Sequence, residues 1–246
     1  MLAKRIIARL DIKGQNVVKG VRFEGLRVIG DPIDLALKYK DAHELLYIDT
    51  VASLYGRNQL TDLLEETSDE IFIPIAVGGG IKSLSDVGKL LNAGADKIAI
   101  NTFALRRPDI ISDISSRFGS QVISVSIQSS HGRCFTDCGR EPTGLATLAW
   151  IQEAVSLGAG EILLTSIDRD GTMSGPDLEL IKSIKVPVPL VYCGGIATVQ
   201  HALDAIEAGA DAIGIGSALH YNKLTIQEVD DELNKIEFQS EERCYA

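Results

Sequence analysis

Short apolar runs alternate with amphipathic segments along the chain. Eight runs are nearly all apolar and rich in β-branched residues, which is typical of parallel strands buried on both faces. These predicted strands cover residues 5–12, 44–50, 73–77, 97–101, 122–127, 161–167, 188–193 and 212–216. The segments between them, in which apolar and polar positions separate with a helical period, predict helices. They cover residues 32–40, 59–66, 83–93, 108–118, 145–157, 178–184, 199–208 and 226–236.

Eight strand–helix pairs in a chain of 246 residues indicate an α/β protein with the (β/α)8, or TIM-barrel, fold. An internal repeat supports this fold. PIAVGGGI at 74–81 returns as PLVYCGGI at 189–196, and AGAD at 93–96 returns at 208–211, both 115 positions later. We therefore predict a single domain over residues 1–246, built from half-barrels of about 1–119 and 120–246. A doubly wound sheet predicts no such duplication.

Composition narrows the classes of function. The formal net charge is −10, with 24 Lys and Arg against 34 Asp and Glu, which argues against a nucleic-acid partner. No apolar run approaches the ~20 residues that cross a bilayer, and the first residues carry too short an apolar stretch for a signal peptide. We therefore expect no membrane partner. Four Cys without regular spacing favour a reducing, cytoplasmic location.

The sequence predicts neither a metal site nor a cofactor. Cys134 and Cys138 lie near His131, but no second Cys pair completes a set of metal ligands. The glycines at 78–80 lack the G-x-G-x-x-G spacing of a dinucleotide site.

Two glycine clusters stand where a barrel holds its ligand, at the carboxyl ends of the strands. One follows the third predicted strand and the other follows the seventh, at related positions of the repeat. Glycines allow an anion to approach the backbone, and a following helix or turn presents free N–H groups. The two clusters predict a small-molecule substrate with a phosphate at each end; the alternative is that they are packing glycines of a duplicated scaffold. The candidate phosphate ligands are Gly79, Gly80, Asn101, Thr102, Asp170, Gly171, Gly194, Gly195, Gly216 and Ser217.

Carboxylates at the same face are candidates for proton transfer. Asp11 ends the first predicted strand between apolar neighbours, and it is a candidate general acid or base. The repeat places Gln128 at the matching position of the fifth strand, where an amide cannot exchange a proton at neutral pH. Asp49 and Asp168 follow the second and sixth strands. For Asp49 the alternative role is a hydrogen bond that orders its loop.

Several segments closely resemble the HisF family, the cyclase subunits of imidazole glycerol phosphate synthase. They are AKRII at 3–7, VKGVRFE at 18–24, GDP at 30–32, VGGGI at 77–81, GADK at 94–97 and GAGEILLTSIDRDGT at 158–172. The resemblance runs from residue 1 to about 236. It implies an enzyme of histidine biosynthesis that receives ammonia from a glutaminase (HisH-like) subunit docked at the N-terminal face of the barrel. The ammonia is added to the ribulosyl-type nucleotide bisphosphate PRFAR, which gives imidazole glycerol phosphate and AICAR.

The resemblance also implies roles for single residues. Asp11 is similar to one of two catalytic carboxylates, the general base, and Lys19 to a lysine on a mobile loop that closes over substrate. A charged ring matches the gate through which ammonia enters. Its members stand at the starts of predicted strands, which also places them at the N-terminal face; the alternative is that they are two ion pairs holding the barrel floor. The ring consists of Arg5, Glu44, Lys97 and Glu161.

Three positions depart from the family pattern. Gln128 stands where the family usually has Asp, the second catalytic carboxylate, which acts as the general acid. Ser130 replaces a Lys, and Cys193 replaces the Ser that usually precedes the glycines of the seventh strand. Loss of a positioned acid typically costs about 10²- to 10⁴-fold in rate.

These departures leave three hypotheses. The first is a working cyclase in which water, Asp168 or another group replaces the lost acid. The second is a paralogue that supplies ammonia to a sugar amidotransferase in surface-polysaccharide synthesis. The third is a sugar-phosphate isomerase like the sister barrel HisA, whose barrel needs no ammonia gate, so the charged ring argues against it.

Overall fold

The computed structural model describes residues 4–52 and 60–244 of the chain. Its strands are β1 (Arg5–Lys13), β2 (Asn16–Val21), β3 (Glu24–Gly30), β4 (Glu44–Asp49), β5 (Ile75–Gly78), β6 (Lys97–Ile100), β7 (Ile123–Ser130), β8 (Arg133–Thr136), β9 (Glu141–Ala146), β10 (Glu161–Ser166), β11 (Leu190–Cys193) and β12 (Ala212–Ile215). Strands β1, β4, β5, β6, β7, β10, β11 and β12 are parallel, and each pairs with the next. The last strand, β12, pairs with β1 and closes the sheet. The closed sheet confirms the predicted (β/α)8 barrel.

Helices follow the strands of the barrel along the chain. They are α1 (Pro32–Lys38), α2 (Leu60–Glu70), α3 (Leu84–Asn92), α4 (Thr102–Arg106), α5 (Asp109–Phe118), α6 (Thr147–Ser156), α7 (Leu178–Ser183), α8 (Val199–Ala208), α9 (Ser217–His220) and α10 (Ile226–Cys244). The side chains of Asp31, Ser83 and Thr198 cap α1, α3 and α8 by accepting bonds from free backbone N–H groups. All eight predicted helices are present; residue 59, where the second was expected to begin, lies outside the described residues. The short helices α4 and α9 were not expected.

Two hairpins extend the barrel at the carboxyl ends of its strands. Strand β2 pairs antiparallel with β1 and with β3, and β8 pairs antiparallel with β7 and with β9. Lys19, expected on a mobile loop after the first strand, lies in β2 of this hairpin, and its closure over substrate stays a prediction. The fifth barrel strand also runs to Ser130 rather than residue 127, because it continues into its hairpin.

Apolar side chains form two cores. The larger one fills the space between the strands and the helices and includes Trp150, Tyr47 and Leu64. A smaller cluster contains Ile7, Leu46, Ala76, Ala99, Leu163, Val191, Cys193, Ala212 and Ile48. Since Ile7 has the same strand parity as Arg5 and Asp11, this smaller cluster lines the barrel interior. No helix within residues 4–52 and 60–244 is long and apolar enough to cross a membrane.

Candidate active site

At the amino ends of the strands, the charged ring is assembled as two cations bridging two carboxylates. Arg5 Nη1 donates to Glu44 Oε2 at 2.7 Å and Arg5 Nη2 to Glu161 Oε2 at 2.5 Å. Lys97 Nζ donates to the same two oxygens, at 2.8 and 3.1 Å. Burial raises the pKa of Glu44, and Lys97 and Arg5 only partly oppose it because Glu161 lies alongside. The four predicted ring residues therefore meet, with no net charge.

At the other end of the barrel, Asp11 lies between two cations. Its Oδ1 accepts a bond from Arg9 Nε at 2.9 Å, and its Oδ2 accepts one from Lys19 Nζ at 2.7 Å. All three side chains are buried. Burial alone would raise the pKa of Asp11, but the charges of Arg9 and Lys19 outweigh it and hold that pKa well below its usual value. Asp11 is therefore a carboxylate at neutral pH.

The β2–β3 hairpin docks onto the turn after β10. Lys19 Nζ also donates to Asp170 Oδ1 at 2.9 Å, and Arg22 N donates to the carbonyl oxygen of Asp170 at 2.8 Å. A Cβ on Gly171 would lie 2.2 Å from the carbonyl oxygen of Gly20, so the two backbones touch. Asp170 thus binds Lys19, and its predicted role as a phosphate ligand stays a prediction.

The first cradle, formed by Gly79, Gly80, Asn101 and Thr102, lines a cavity that also contains Lys82 and Arg106. A Cβ on Gly79, whose φ is 114°, would lie 2.6 Å from the carbonyl oxygen of Asp49. Only glycine fits there. The Thr102 hydroxyl accepts from Asp137 N at 3.0 Å and keeps its own hydrogen for a ligand.

The second cradle, formed by Gly171, Gly194, Gly195, Gly216 and Ser217, lines a cavity whose charged residues are Arg9, Lys19 and Asp170. Its backbone repeats that of the first cradle. Gly194 and Gly195 have φ values of 123° and 79°, against 114° and 69° for Gly79 and Gly80.

Helices α4 and α9 begin at the first and the second cradle respectively. They follow Asn101 (φ −129°, ψ −87°) and Gly216 (φ −118°, ψ −82°), and neither has a side-chain cap within the described chain. Each cradle therefore combines an open glycine turn with N–H groups at the start of a helix.

Gln128, at the end of β7, belongs to both the first-cradle cavity and a middle cavity. The middle cavity also contains Asp11 and shares Arg9, Lys19 and Asp170 with the cavity of the second cradle. The shared residues thus place the three cavities next to one another, and together they are called the basin. The Gln128 side chain is 7% exposed, and its Oε1 has no hydrogen-bond partner among the described residues.

Two other candidate carboxylates accept hydrogen bonds from the chain itself. Asp49 Oδ1 accepts hydrogen bonds from the N–H groups of Val51 and Ala52, at 2.9 and 2.8 Å. These bonds match the alternative role of Asp49, in which its side chain orders the loop. Asp168 accepts from Ser130 Oγ at 2.7 Å and from His131 N at 3.1 Å, so its carboxylate faces the turn between β7 and β8. The role of Asp168 as a replacement acid stays a prediction.

Sequence comparisons identify the family. A family model described as "Histidine biosynthesis protein" matches residues 5–225. The chain belongs to the HisF family. Three relatives of this HisF-family chain are each named imidazole glycerol phosphate synthase subunit HisF. The Legionella pneumophila protein is 51% identical over 205 residues, covering 80% of this chain and 97% of that protein. Those of Thermobifida fusca and Kineococcus radiotolerans are 45% and 44% identical, each covering 94% of this chain and 96% of the relative.

Two buried residues of this HisF-family site were not expected from the sequence. Arg9 joins Asp11 to Thr165 on the far side of the barrel, with 2.9 Å between Arg9 Nη1 and Thr165 Oγ1. His220, at the end of α9, forms a hydrogen bond with Tyr39, with 2.9 Å between His220 Nδ1 and the Tyr39 hydroxyl oxygen. Arg9 could have been found from its parity, because residues 5, 9 and 11 of one strand point to the same side. No sequence signal marks His220, since α9 itself was not predicted.

Proposed function

We propose that this chain is the synthase subunit of a glutamine amidotransferase in histidine biosynthesis. It would convert PRFAR, with ammonia from a glutaminase subunit, to imidazole glycerol phosphate and AICAR. The observation that carries the proposal is a row of three adjoining cavities, with a glycine cradle in each outer cavity and Asp11 in the middle one. Membership of the HisF family supports it.

In this proposal each cradle binds one phosphate of PRFAR. Backbone N–H groups at the starts of α4 and α9 donate to phosphate oxygens, as helix N-termini commonly do. The hydroxyls of Thr102 and Ser217 add donors, and Ser217 Oγ has no partner among the described residues. Lys82 and Arg106 supply positive charge at the first cradle. The equal backbone geometry of the cradles suits equal end groups on one substrate.

Asp11 is the general base of the proposed reaction. Its carboxylate is ionised at neutral pH and keeps lone pairs beyond those used by Arg9 and Lys19. It can accept the proton that the ammonia nitrogen loses as that nitrogen bonds to the substrate. Gln128 can orient the substrate by hydrogen bonds, but its amide cannot act as an acid, so a water molecule or another group supplies the second proton transfer.

Ammonia is proposed to enter through the charged ring at the opposite end of the barrel. A glutaminase subunit docked there would release ammonia directly into the interior. Phe72 supports this face as the docking surface, because it lies between α2 and β5, at the amino end of the strands, and is 91% exposed. Aromatic side chains of this kind commonly anchor protein interfaces. A cytoplasmic location fits such an enzyme and remains a proposal.

Turnover of PRFAR with an ammonium salt, followed by absorbance, tests the proposed reaction without a partner. We expect product formation by the purified chain and its loss in Asp11→Asn. Asp69→Asn, the same change at an exposed position on α2, is the matched control and should leave the rate unchanged. No turnover together with stable glutaminase binding would instead indicate the ammonia-supplying paralogue.

Binding of a purified HisH-type glutaminase, measured by calorimetry, tests the docking face. Phe72→Asp should weaken binding by about 10-fold or more. Leu145→Asp is the matched control, since Leu145 is 42% exposed on the β8–β9 hairpin at the opposite end. Equal effects of the two substitutions would refute the proposed face.

A further inference from the structure

Residues of one parity in β1 point into the barrel, and the charged Arg5, Arg9 and Asp11 are among them. Arg5, Ile7, Arg9 and Asp11 have one parity, and Ile7 belongs to the apolar cluster of the interior. Arg9 is 4% exposed, although its guanidinium remains charged at any accessible pH. A buried charge of this kind is costly unless it is paired, so Arg9 needs a reason to be there.

Arg9 spans the interior in the same way as Arg5 does one level below. Arg5 on β1 bonds Glu161 on β10, and Arg9 bonds Thr165, four residues further along the same two strands. Strands β1 and β10 are not neighbours in the sheet, so both bonds cross the barrel. Thr165 is 1% exposed and belongs to β10, so its buried hydroxyl is a fixed partner for the guanidinium.

The same guanidinium fixes one oxygen of Asp11. Arg9 Nε lies 2.9 Å from Asp11 Oδ1, while Lys19, which bonds the other oxygen, belongs to the β2–β3 hairpin rather than to the barrel wall. Arg9 is therefore the partner of Asp11 that the closed sheet itself holds in place. The titratable and charged groups around this pair come from β1, β2, β11, α9 and the turn after β10. They are Arg9, Lys19, Cys193, His220 and Asp170.

We infer that Arg9 is a positioning residue for the proposed reaction: tied to Thr165, it holds the Asp11 carboxylate charged and directed into the middle cavity. This inference rests on the proposed function for the role of Asp11 as the base. It assigns to Arg9 and Thr165 the task of keeping that base ready before substrate arrives.

Arg9 also keeps the buried Asp11 carboxyl group ionised. Burial opposes ionisation of the carboxyl group, and the charge of Arg9 is the largest influence that acts against burial, ahead of Lys19. Removing the guanidinium leaves burial opposed by Lys19 alone. The pKa of Asp11 should then rise.

Carbon-13 NMR of the Asp11 carboxyl group tests the inference without any turnover. Spectra are followed down to the lowest pH at which the chain remains folded, and in the unaltered chain we expect Asp11 to stay ionised throughout. Arg9→Met should raise its titration by about 1 to 3 pH units, the usual effect of a close opposite charge. Arg27→Met, the same change at an exposed position on β3, is the matched control and should leave Asp11 unchanged. Titration in Arg9→Met that matches the control overturns the inference.

Kinetics with PRFAR and ammonium separate positioning from substrate binding. Arg9→Met should lower kcat by about 10- to 100-fold with little change in KM, because a misplaced base slows the chemical step. Arg9→Lys should restore the ionisation of Asp11 but only part of kcat, since an ammonium lacks the fork that reaches both Asp11 and Thr165. A change confined to KM would make Arg9 a ligand of substrate and overturn its positioning role.

Thr165→Val keeps the test decisive if Arg9→Met does not fold. This substitution preserves side-chain shape and removes only the hydroxyl that anchors Arg9. We expect a smaller loss of kcat, with Asp11 still ionised; an unchanged kcat overturns the role of the anchor. If the unaltered chain shows no turnover, the proposed function fails, whereas the NMR titration still decides the effect of Arg9 on Asp11.

Discussion

Replacing Gln128 by Asp places an ionisable group in the basin where the chain now has a neutral amide. Gln128 is 7% exposed and shares the middle cavity with Asp11. The cations of that cavity, Arg9 and Lys19, already bond Asp11 and Asp170. Burial should therefore dominate at position 128 and raise the pKa of the new carboxyl group above its usual value. A protonated carboxyl group at that position is a general acid facing the proposed base.

The expected gain in rate follows from the usual contribution of a positioned general acid. General acid catalysis contributes about 10²- to 10⁴-fold in rate. That range corresponds to a barrier lower by about 2.7 to 5.5 kcal/mol. The substitution should also lower the free energy of unfolding by about 1–3 kcal/mol, because a group that can ionise is then buried in place of a neutral amide.

Steady-state turnover of PRFAR with ammonium, measured across pH, checks this prediction. Gln128→Asn is the matched control, since it shortens the side chain equally but cannot donate an acidic proton. Only Gln128→Asp should gain activity, and its rate should fall as pH rises through the pKa of the new group, because the donor is then ionised. If Asp and Asn at position 128 give equal rates and equal pH profiles, the reasoning about a missing acid is refuted.

Three further predictions concern stability, each measured by urea unfolding. Gly195→Ala should lower the free energy of unfolding by roughly 2–6 kcal/mol, because its Cβ would lie 2.1 Å from the carbonyl oxygen of Gly175 at a φ of 79°. Gly209→Ala has open space around it and should lower that free energy only by the backbone strain of about 1–3 kcal/mol. Equal losses of stability would contradict the close contact. Arg5→Met should cost about 3–5 kcal/mol, because two buried glutamates then share Lys97 alone; a neutral result would mean that the ring does not hold the barrel floor. Burial lowers the pKa of His220 to about 4, so the folded state binds fewer protons than the unfolded state between about pH 6.5 and 4. The free energy of unfolding should therefore fall by about 3 kcal/mol as the pH is lowered through that window. His220→Gln should remove this slope, and a slope that persists would assign it to other groups.

The sequence by itself determined the architecture and placed the two glycine clusters of the candidate site. Buried strands read as apolar runs, and eight of them alternating with helical segments leave few folds other than the barrel. The repeat related the glycines after β5 to those after β11, and their matching backbone angles agree with it. Asp11 and Gln128 were placed by the same repeat, because the carboxyl ends of all parallel strands meet at one face.

Tertiary structure alone decided which groups pair across that face. Alternation along β1 groups Arg9 with Arg5 and Asp11, but it does not tell which distant residue each side chain meets, so the sequence could not show that Arg9 bonds Thr165, 156 positions away. The hairpin that brings Lys19 to Asp11 and Asp170 is short and contains irregular register, which leaves a weak sequence pattern. Asp168, although correctly placed at a strand end, bonds the neighbouring turn because Ser130 and His131 lie there. Contacts between segments far apart in the chain depend on closure of the sheet, and local patterns carry no information about them.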